Sequence, residues 1–161
     1  MNAVFSTKQT QPELGRNSKW SAAFENYVTR DGAIVRVALA GAGDPAAKDR
    51  QAALERAGAA LTAKFLTSGE GKLTLDFTGT KLSASDVASV LLGARLRAWR
   101  YDIYRTKLSE DQKPSLKTLQ VVGAPEGAEA AWAIESALAE GVEFTRELVT
   151  EPANVIYPAT F

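Results

Sequence analysis

The sequence predicts an α/β fold: a mainly parallel mixed sheet with helices on both faces, in three layers α/β/α. Strand-type and helix-type segments alternate three times along the chain. The connections between the strands are long enough to be helical crossovers, which parallel pairing requires. Glycines and turn residues punctuate the alternation, as they do in layered α/β domains.

Taken in order, residues 1–30 are the least readable. They are polar, with Trp20, Phe24 and Tyr27 spaced as one face of a short helix, followed by a turn at Asp31-Gly32. Ala33 to Ala40 is β-branched and bounded by glycines, so it reads as a buried strand. Asp44 can cap the next helix, with Pro45 in its first position and an end near Lys64. Lys72 to Thr78 alternates and predicts a second strand. Ser83, with Asp86 three residues on, has the form of a capping box opening a helix from about Ala84 to Tyr104. A charged loop, Ser109 to Ser115, leads to a third strand over Leu116–Val122. The last helix spans Ala128–Thr150, about 34 Å at 1.5 Å per residue.

A chain of 161 residues can bury a proper core as one domain. No run approaches the length of a membrane span, and the first residues lack the charged head and apolar stretch of a signal peptide. Cysteine is absent, so there is no disulfide framework, which fits a cytoplasmic protein. Histidine is absent too. That excludes a Ser-His triad, a Cys-His pair and a histidine zinc site within these residues. Net charge is zero, yet residues 1–117 hold 18 Lys/Arg against 12 Asp/Glu, and residues 118–161 hold Arg146 against seven glutamates. The asymmetry fits either separate basic and acidic partner surfaces or a solvated glutamate-rich helix.

Three groups of residues are candidate sites. Gly41-Ala-Gly43-Asp-Pro-Ala46 matches the dinucleotide-binding G-x-G-x-x-A pattern. However, Asp44 places negative charge where a phosphate would lie, Pro45 removes a donor, and the next strand acid, Asp76, is too far along. A tight turn with a cap is the preferred reading, and no cofactor site is assigned. On the helix wheel, Arg97, Arg100, Tyr104 and Lys107 share an arc with the form of a solvated face, although such an arc can also meet phosphates. Trp99 lies on the broad apolar side, which Arg95, Asp102 and Arg105 interrupt. Charged groups there either pair with a neighbouring domain or subunit, or reach solvent at the edge of the sheet contact. Glu110 and Asp111 sit in a polar loop, and the glutamates of the last helix do not converge, so no catalytic or metal-binding constellation is found.

The C-terminus carries most information. Pro152 closes the last helix, and Pro158 sits where a first helical turn accepts proline. A new element opens and the chain stops within it, which reads as a piece of a longer protein. The segment Arg146-Glu-Leu-Val-Thr-Glu-Pro152-Ala-Asn154-Val-Ile-Tyr-Pro158 is similar to the linker Arg-Asp-Leu-Val-Asn-x-Pro-x-Asn-x-x-Thr-Pro of the leucyl (cytosol) aminopeptidase family. Gly93-x-x-Leu96 followed by Trp99-Arg-Tyr-Asp-Ile-Tyr-Arg-Thr-Lys107 resembles that family's Gly-x-x-Leu and Tyr-Arg-Phe-Asp-x-Tyr-Lys-Thr-Lys helix end. Tyr157 departs from the family threonine, and residues 1–30 match poorly.

The resemblance implies a macro-domain-like N-terminal domain over residues 31–150, with 151–161 as the start of a linker to a catalytic domain that is absent. The parent would remove N-terminal amino acids from peptides with two divalent ions (manganese or zinc) held beyond Phe161. The family's Asn-Thr-Asp-Ala-Glu-Gly-Arg stretch does not occur here, so no metal or catalytic residue is carried over. The expected partners are its own catalytic domain and further copies, typically a hexamer. Two alternatives stay open: a free-standing macro-like module for a nucleotide or ADP-ribose, and DNA binding through the basic first two-thirds.

Overall fold

The computed structural model describes residues 2–6, 24–30, 32–44, 46–157 and 159. Five strands form one sheet in the order β2-β3-β1-β4-β5, where β1 is Asn2–Ser6, β2 Phe24–Arg30, β3 Ala33–Gly41, β4 Lys72–Asp76 and β5 Thr118–Val122. Strand β1 lies between β3 and β4 and is parallel to both, and β4 is parallel to β5. Only β2 runs antiparallel, paired with β3 from Phe24↔Leu39 to Arg30↔Ala33. That register leaves a two-residue hairpin loop, with Gly32 at φ 78° as such a turn requires.

The short helix expected around Trp20, Phe24 and Tyr27 is corrected: Phe24–Arg30 is a strand, and Trp20 lies outside the described residues. The i, i+4, i+7 spacing of three aromatics is helical but is a weak local signal, and pairing with β3 overrides it. Strand β1 was not anticipated either. It has only three apolar residues in succession, and its central place comes from its neighbours.

Helix α1 is Arg50–Phe65, α2 is Ala84–Ala98 and α3 is Ala128–Thr150; a single 3-10 turn lies at Glu110–Gln112. The expected start of α1 behind Asp44 is also corrected. The Asp44 carboxylate accepts from the Ala46 amide two residues on, at 2.9 Å, which makes a local turn instead of a helix cap. Helix α1 begins six residues later, behind Asp49. This separates Gly41–Gly43 from any helix N-terminus and removes the geometry of a dinucleotide fingerprint.

Ser83 does cap α2. Its side chain accepts from the Asp86 amide at 3.1 Å, and Asp86 accepts from the Ser83 amide at 2.9 Å. Asp86 also receives Arg50 of α1 in a two-pronged pair at 2.9 and 2.8 Å, so one carboxylate caps α2 and ties the two helix starts together. The Arg50 guanidinium beside it holds the Asp86 carboxyl below its ordinary range.

The core lies between one sheet face and the helices. Ala38 and Ala40 of β3, with Leu73 and Leu75 of β4 and Phe77 just beyond it, meet Leu54, Leu61 and Phe65 of α1 and Val87 and Val90 of α2. Leu119 and Val121 of β5 pack at its edge. All of these strand residues alternate onto the same face. The sheet is α/β and mainly parallel, as expected. Of the expected three layers, the described residues supply this sheet with α1 and α2 on one face, and α3 packed on α2.

Two glycines set how close α1 and α2 come. A Cβ on Gly58 would stand 1.9 Å from the Val90 carbonyl oxygen, and one on Gly93 would stand 1.9 Å from that of Glu55. Both neighbours are backbone, so neither can move aside cheaply. The helices therefore cross with their backbones in contact, and each glycine is required by the facing helix. Gly58→Ala and Gly93→Ala should each lower unfolding stability by about 3 kcal/mol, read as an earlier urea midpoint. Asp86→Ala removes the carboxylate half of the capping box and the Arg50 pair together and should cost about 2 kcal/mol at neutral pH. Because the Asp86 pKa is depressed on folding, its contribution is present above the unfolded value and lost as pH falls through the folded one. The gap between wild type and Asp86→Ala in urea melts should therefore close on acidification.

Candidate domain interface

Helix α2 stops at Ala98, not at Tyr104 as its pattern suggested. Trp99 takes extended angles (φ −58°, ψ 132°), and its amide makes the last bond, to the Arg95 carbonyl. The helix-wheel arc through Arg100, Tyr104 and Lys107 therefore does not exist. Residues 99–107 instead form an irregular arm with a turn closed by the Arg105 amide on the Asp102 carbonyl at 3.0 Å.

Helix α3 explains the stop. Arg146 donates from Nη1 to the Leu96 carbonyl at 2.8 Å, satisfying one of the open acceptors at the end of α2. Its guanidinium also lies over the Trp99 ring, 5.7 Å from the centroid. Trp99 stacks near Tyr101 with centroids 6.2 Å apart. Beyond it, the Tyr101 hydroxyl donates to Glu151 Oε1 and the Tyr104 hydroxyl donates to Glu151 Oε2 at 2.7 Å. One carboxylate at the end of α3 thus holds two phenols of the arm.

Arg95 faces the same way. It donates from Nε and Nη2 to the Glu143 carboxylate at 3.0 and 2.7 Å, and from Nη1 to the Ser136 hydroxyl at 2.8 Å. The Glu143 hydrogen bonds raise its pKa further above the usual arginine value, against the cost of burial. This fork-to-fork pair is part-buried and joins α2 to α3 within the chain.

Asp102 and Arg105 are placed differently. Asp102 accepts from Arg100 Nε at 2.6 Å and lies 3.6 Å from Arg105 Nε, while Arg105 is 63% exposed on its side chain. With Leu66, Trp99, Arg100, Tyr101 and Thr150 they line an open cavity of about 650 Å³. The four residues singled out in the sequence therefore divide: Arg95 pairs with α3, Asp102 and Arg105 face the cavity, and Trp99 touches both. Among the described residues no cluster of three or more Asp, Glu, His or Cys could hold a metal ion.

The last helix stops where Pro152 predicts a stop. Helix α3 ends at Thr150, with Glu151 extended (φ −61°, ψ 136°) before Pro152. The amides of Val155 and Ile156 both bond to the Pro152 carbonyl, at 2.8 and 3.1 Å, and Asn154 is exposed in that turn. Pro158 lies outside the described residues. Glu143, Ser136 and Glu151 were missed at the sequence level. Glu151 was legible only as the residue before Pro152, because nothing in the helical period marks a partner fifty residues away.

No family model matches the chain. It is similar to proteins named probable cytosol aminopeptidase: 37% identical over 146 residues to that of Chelativorans sp., covering 89% of this chain and 29% of that one. The protein from Rhizobium etli is 34% identical over 153 residues, 92% of this chain and 31% of its own length. That from Methylorubrum populi is 41% identical over 101 residues, with 63% and 20% covered. The chain spans less than a third of these relatives. Its fold matches a solved structure of a tomato leucine aminopeptidase variant with a TM-score of 0.65 at 21% identity, covering 89% of this chain and 28% of that one. Among the described residues no helix is long and apolar enough to cross a membrane.

The Glu151 hydrogen bonds raise the pKa of both Tyr101 and Tyr104, so these phenols ionise above the ordinary tyrosine range. A raised folded pKa means that the contact stabilises below the unfolded value and is lost as pH rises through the folded one. In an absorbance titration at alkaline pH, Glu151→Gln should bring the ionisation of both rings back toward the ordinary value. An unchanged curve would contradict the clamp.

Proposed function

We propose that this homologue of the cytosol aminopeptidases is the non-catalytic N-terminal domain of a leucyl-type aminopeptidase whose parent removes N-terminal amino acids from peptides. One observation carries the reading: alignments reach 92% of this chain while covering at most 31% of the relatives. A segment matched almost throughout, against a minor part of longer proteins, is one module of a larger architecture. The fold agreement over 89% of the chain supports the same view.

The chemistry of the residues agrees. The resemblance implies two divalent ions in the parent, and the residues here do not fit such a centre. The family's Asn-Thr-Asp-Ala-Glu-Gly-Arg stretch does not occur here, and among the described residues the carboxylates do not cluster. No step of peptide hydrolysis is therefore assigned to this chain. Its role is architectural: to pack on the catalytic domain through the arm bearing Asp102 and Arg105 and through α3, and to support a homo-oligomer. A cytoplasmic location belongs to the same reading.

The arm suits that role. Its polar groups are largely paired within the chain, as Arg100 and Arg105 are on Asp102 and both tyrosines on Glu151. Pre-paired groups present a set surface and cost little ordering when a partner docks. The 161-residue chain alone should show no hydrolysis of Leu-p-nitroanilide above a metal-only blank with added manganese. Turnover above that blank would overturn the reading.

A further inference from the structure

Helix α3 is amphipathic twice over. One face packs on α2 and buries Ala128 and Ala139. The opposite face carries Ile134, Leu138, Phe144 and Val149, which are 54–78% exposed. At their spacing these residues and Gly141 fall on one side of the helix. Around Gly141 the surface dips into a shallow, mostly apolar groove of about 390 Å³, lined by Ala137, Leu138, Val142 and Thr145, with Arg146 at the side that reaches back to α2.

Gly141 is the informative residue. Glycine within a helix is unfavourable relative to alanine, so it wants a local reason. Gly58 and Gly93 have one, since a Cβ on either would strike the facing backbone. A Cβ on Gly141 would meet nothing within 4 Å. Nothing described in this chain needs a glycine there, whereas a helix crossing α3 from outside would need it for the same reason α1 needs Gly93.

Charge narrows the occupant. Glu129, Glu140 and Glu147 run along one flank of this face, and among the described residues Glu129 and Glu147 have no cationic partner. A second copy packed antiparallel across a twofold axis would set these like-charged flanks against each other, which disfavours it. The 146 residues aligned with the Chelativorans protein are 29% of its length, so most of such a parent lies elsewhere in the same polypeptide. Covalent attachment through the turn after Pro152 would keep that portion at high effective concentration beside α3.

We propose that the outward face of α3, centred on Gly141, seats a helix of the parent's catalytic portion that brings Lys or Arg over Glu129 and Glu147. This rests on the domain reading above. The test replaces the aligned portion of the Chelativorans and Rhizobium etli aminopeptidases with this chain and compares each chimera with the 161-residue chain by hydrogen exchange. Amides of 134–149 should exchange at least tenfold more slowly in the chimeras. Gly141→Leu should leave the 161-residue chain folded with an equal or higher melting temperature, yet abolish that protection. Glu147→Lys should weaken it. A chimera that hydrolyses Leu-p-nitroanilide without protecting 134–149 overturns the α3 seat and leaves the domain reading standing. Chimeras that fold, show no hydrolysis and lack protection, or that both fail to fold as one body, count against both. Dimers of the 161-residue chain that Gly141→Leu dissociates would make the occupant a second copy and overturn the proposal.

Discussion

The close crossing of α1 and α2 is the constraint on which the other contacts rest. Gly58 under Val90 and Gly93 under Glu55 let two helix backbones touch. This contact holds α2 tightly beside α1 over the sheet, with Val87 and Val90 turned into the core. Bulkier residues at either position would lift α2 away and open the layer beneath it. The Arg50–Asp86 pair pins the start of the same crossing, so its angle is held both at the helix starts and at the glycine contact.

The end of α2 then determines what α3 can do. Arg95 reaches Glu143 and Ser136, and Arg146 reaches back to the Leu96 carbonyl and the Trp99 ring. These reciprocal arginines join α2 to a helix whose fully buried residues are two alanines. The contact is polar and directional, which suits a helix whose other face stays free. Glu151 continues the arrangement past the helix end and holds the arm through two phenols. The glutamate-rich C-terminal third is thus more than a solvated face: Glu143 and Glu151 point inward to partners from the basic part of the chain, while Glu129 and Glu147 remain outside.

Strands β3, β4 and β5 and all three helices were legible because each carries a local signal: β-branched runs, a capping box, a proline stop. The N-terminal strands were not. Asn2–Ser6 is too short to show a period, and Phe24–Arg30 carries a helical spacing that pairing with β3 overrides. The helical pattern of 99–104 was misleading for a related reason. Its aromatic and charged residues are spaced for a helix, but their partners Arg146 and Glu151 lie about fifty residues away. Arg95, Trp99, Asp102 and Arg105 could be singled out as charges and an aromatic on an apolar side. Which of them face α3 and which face the cavity was not readable from their spacing.

By itself the sequence determined the α/β class, strands β3, β4 and β5, the proline-closed last helix, the lack of histidine and cysteine chemistry, and the kinship of two motifs with a peptidase family. Local rules suffice for these, since propensity, capping and residue inventory act over a few positions. Only the tertiary structure decided that β1 sits mid-sheet, that α2 stops at Ala98, and that one carboxylate gathers Tyr101 and Tyr104. It alone separated the glycines that the fold requires from the one it leaves facing open space. Those outcomes depend on contacts between residues far apart in the chain, whose free energies outweigh a local preference of a few tenths of a kcal/mol per residue.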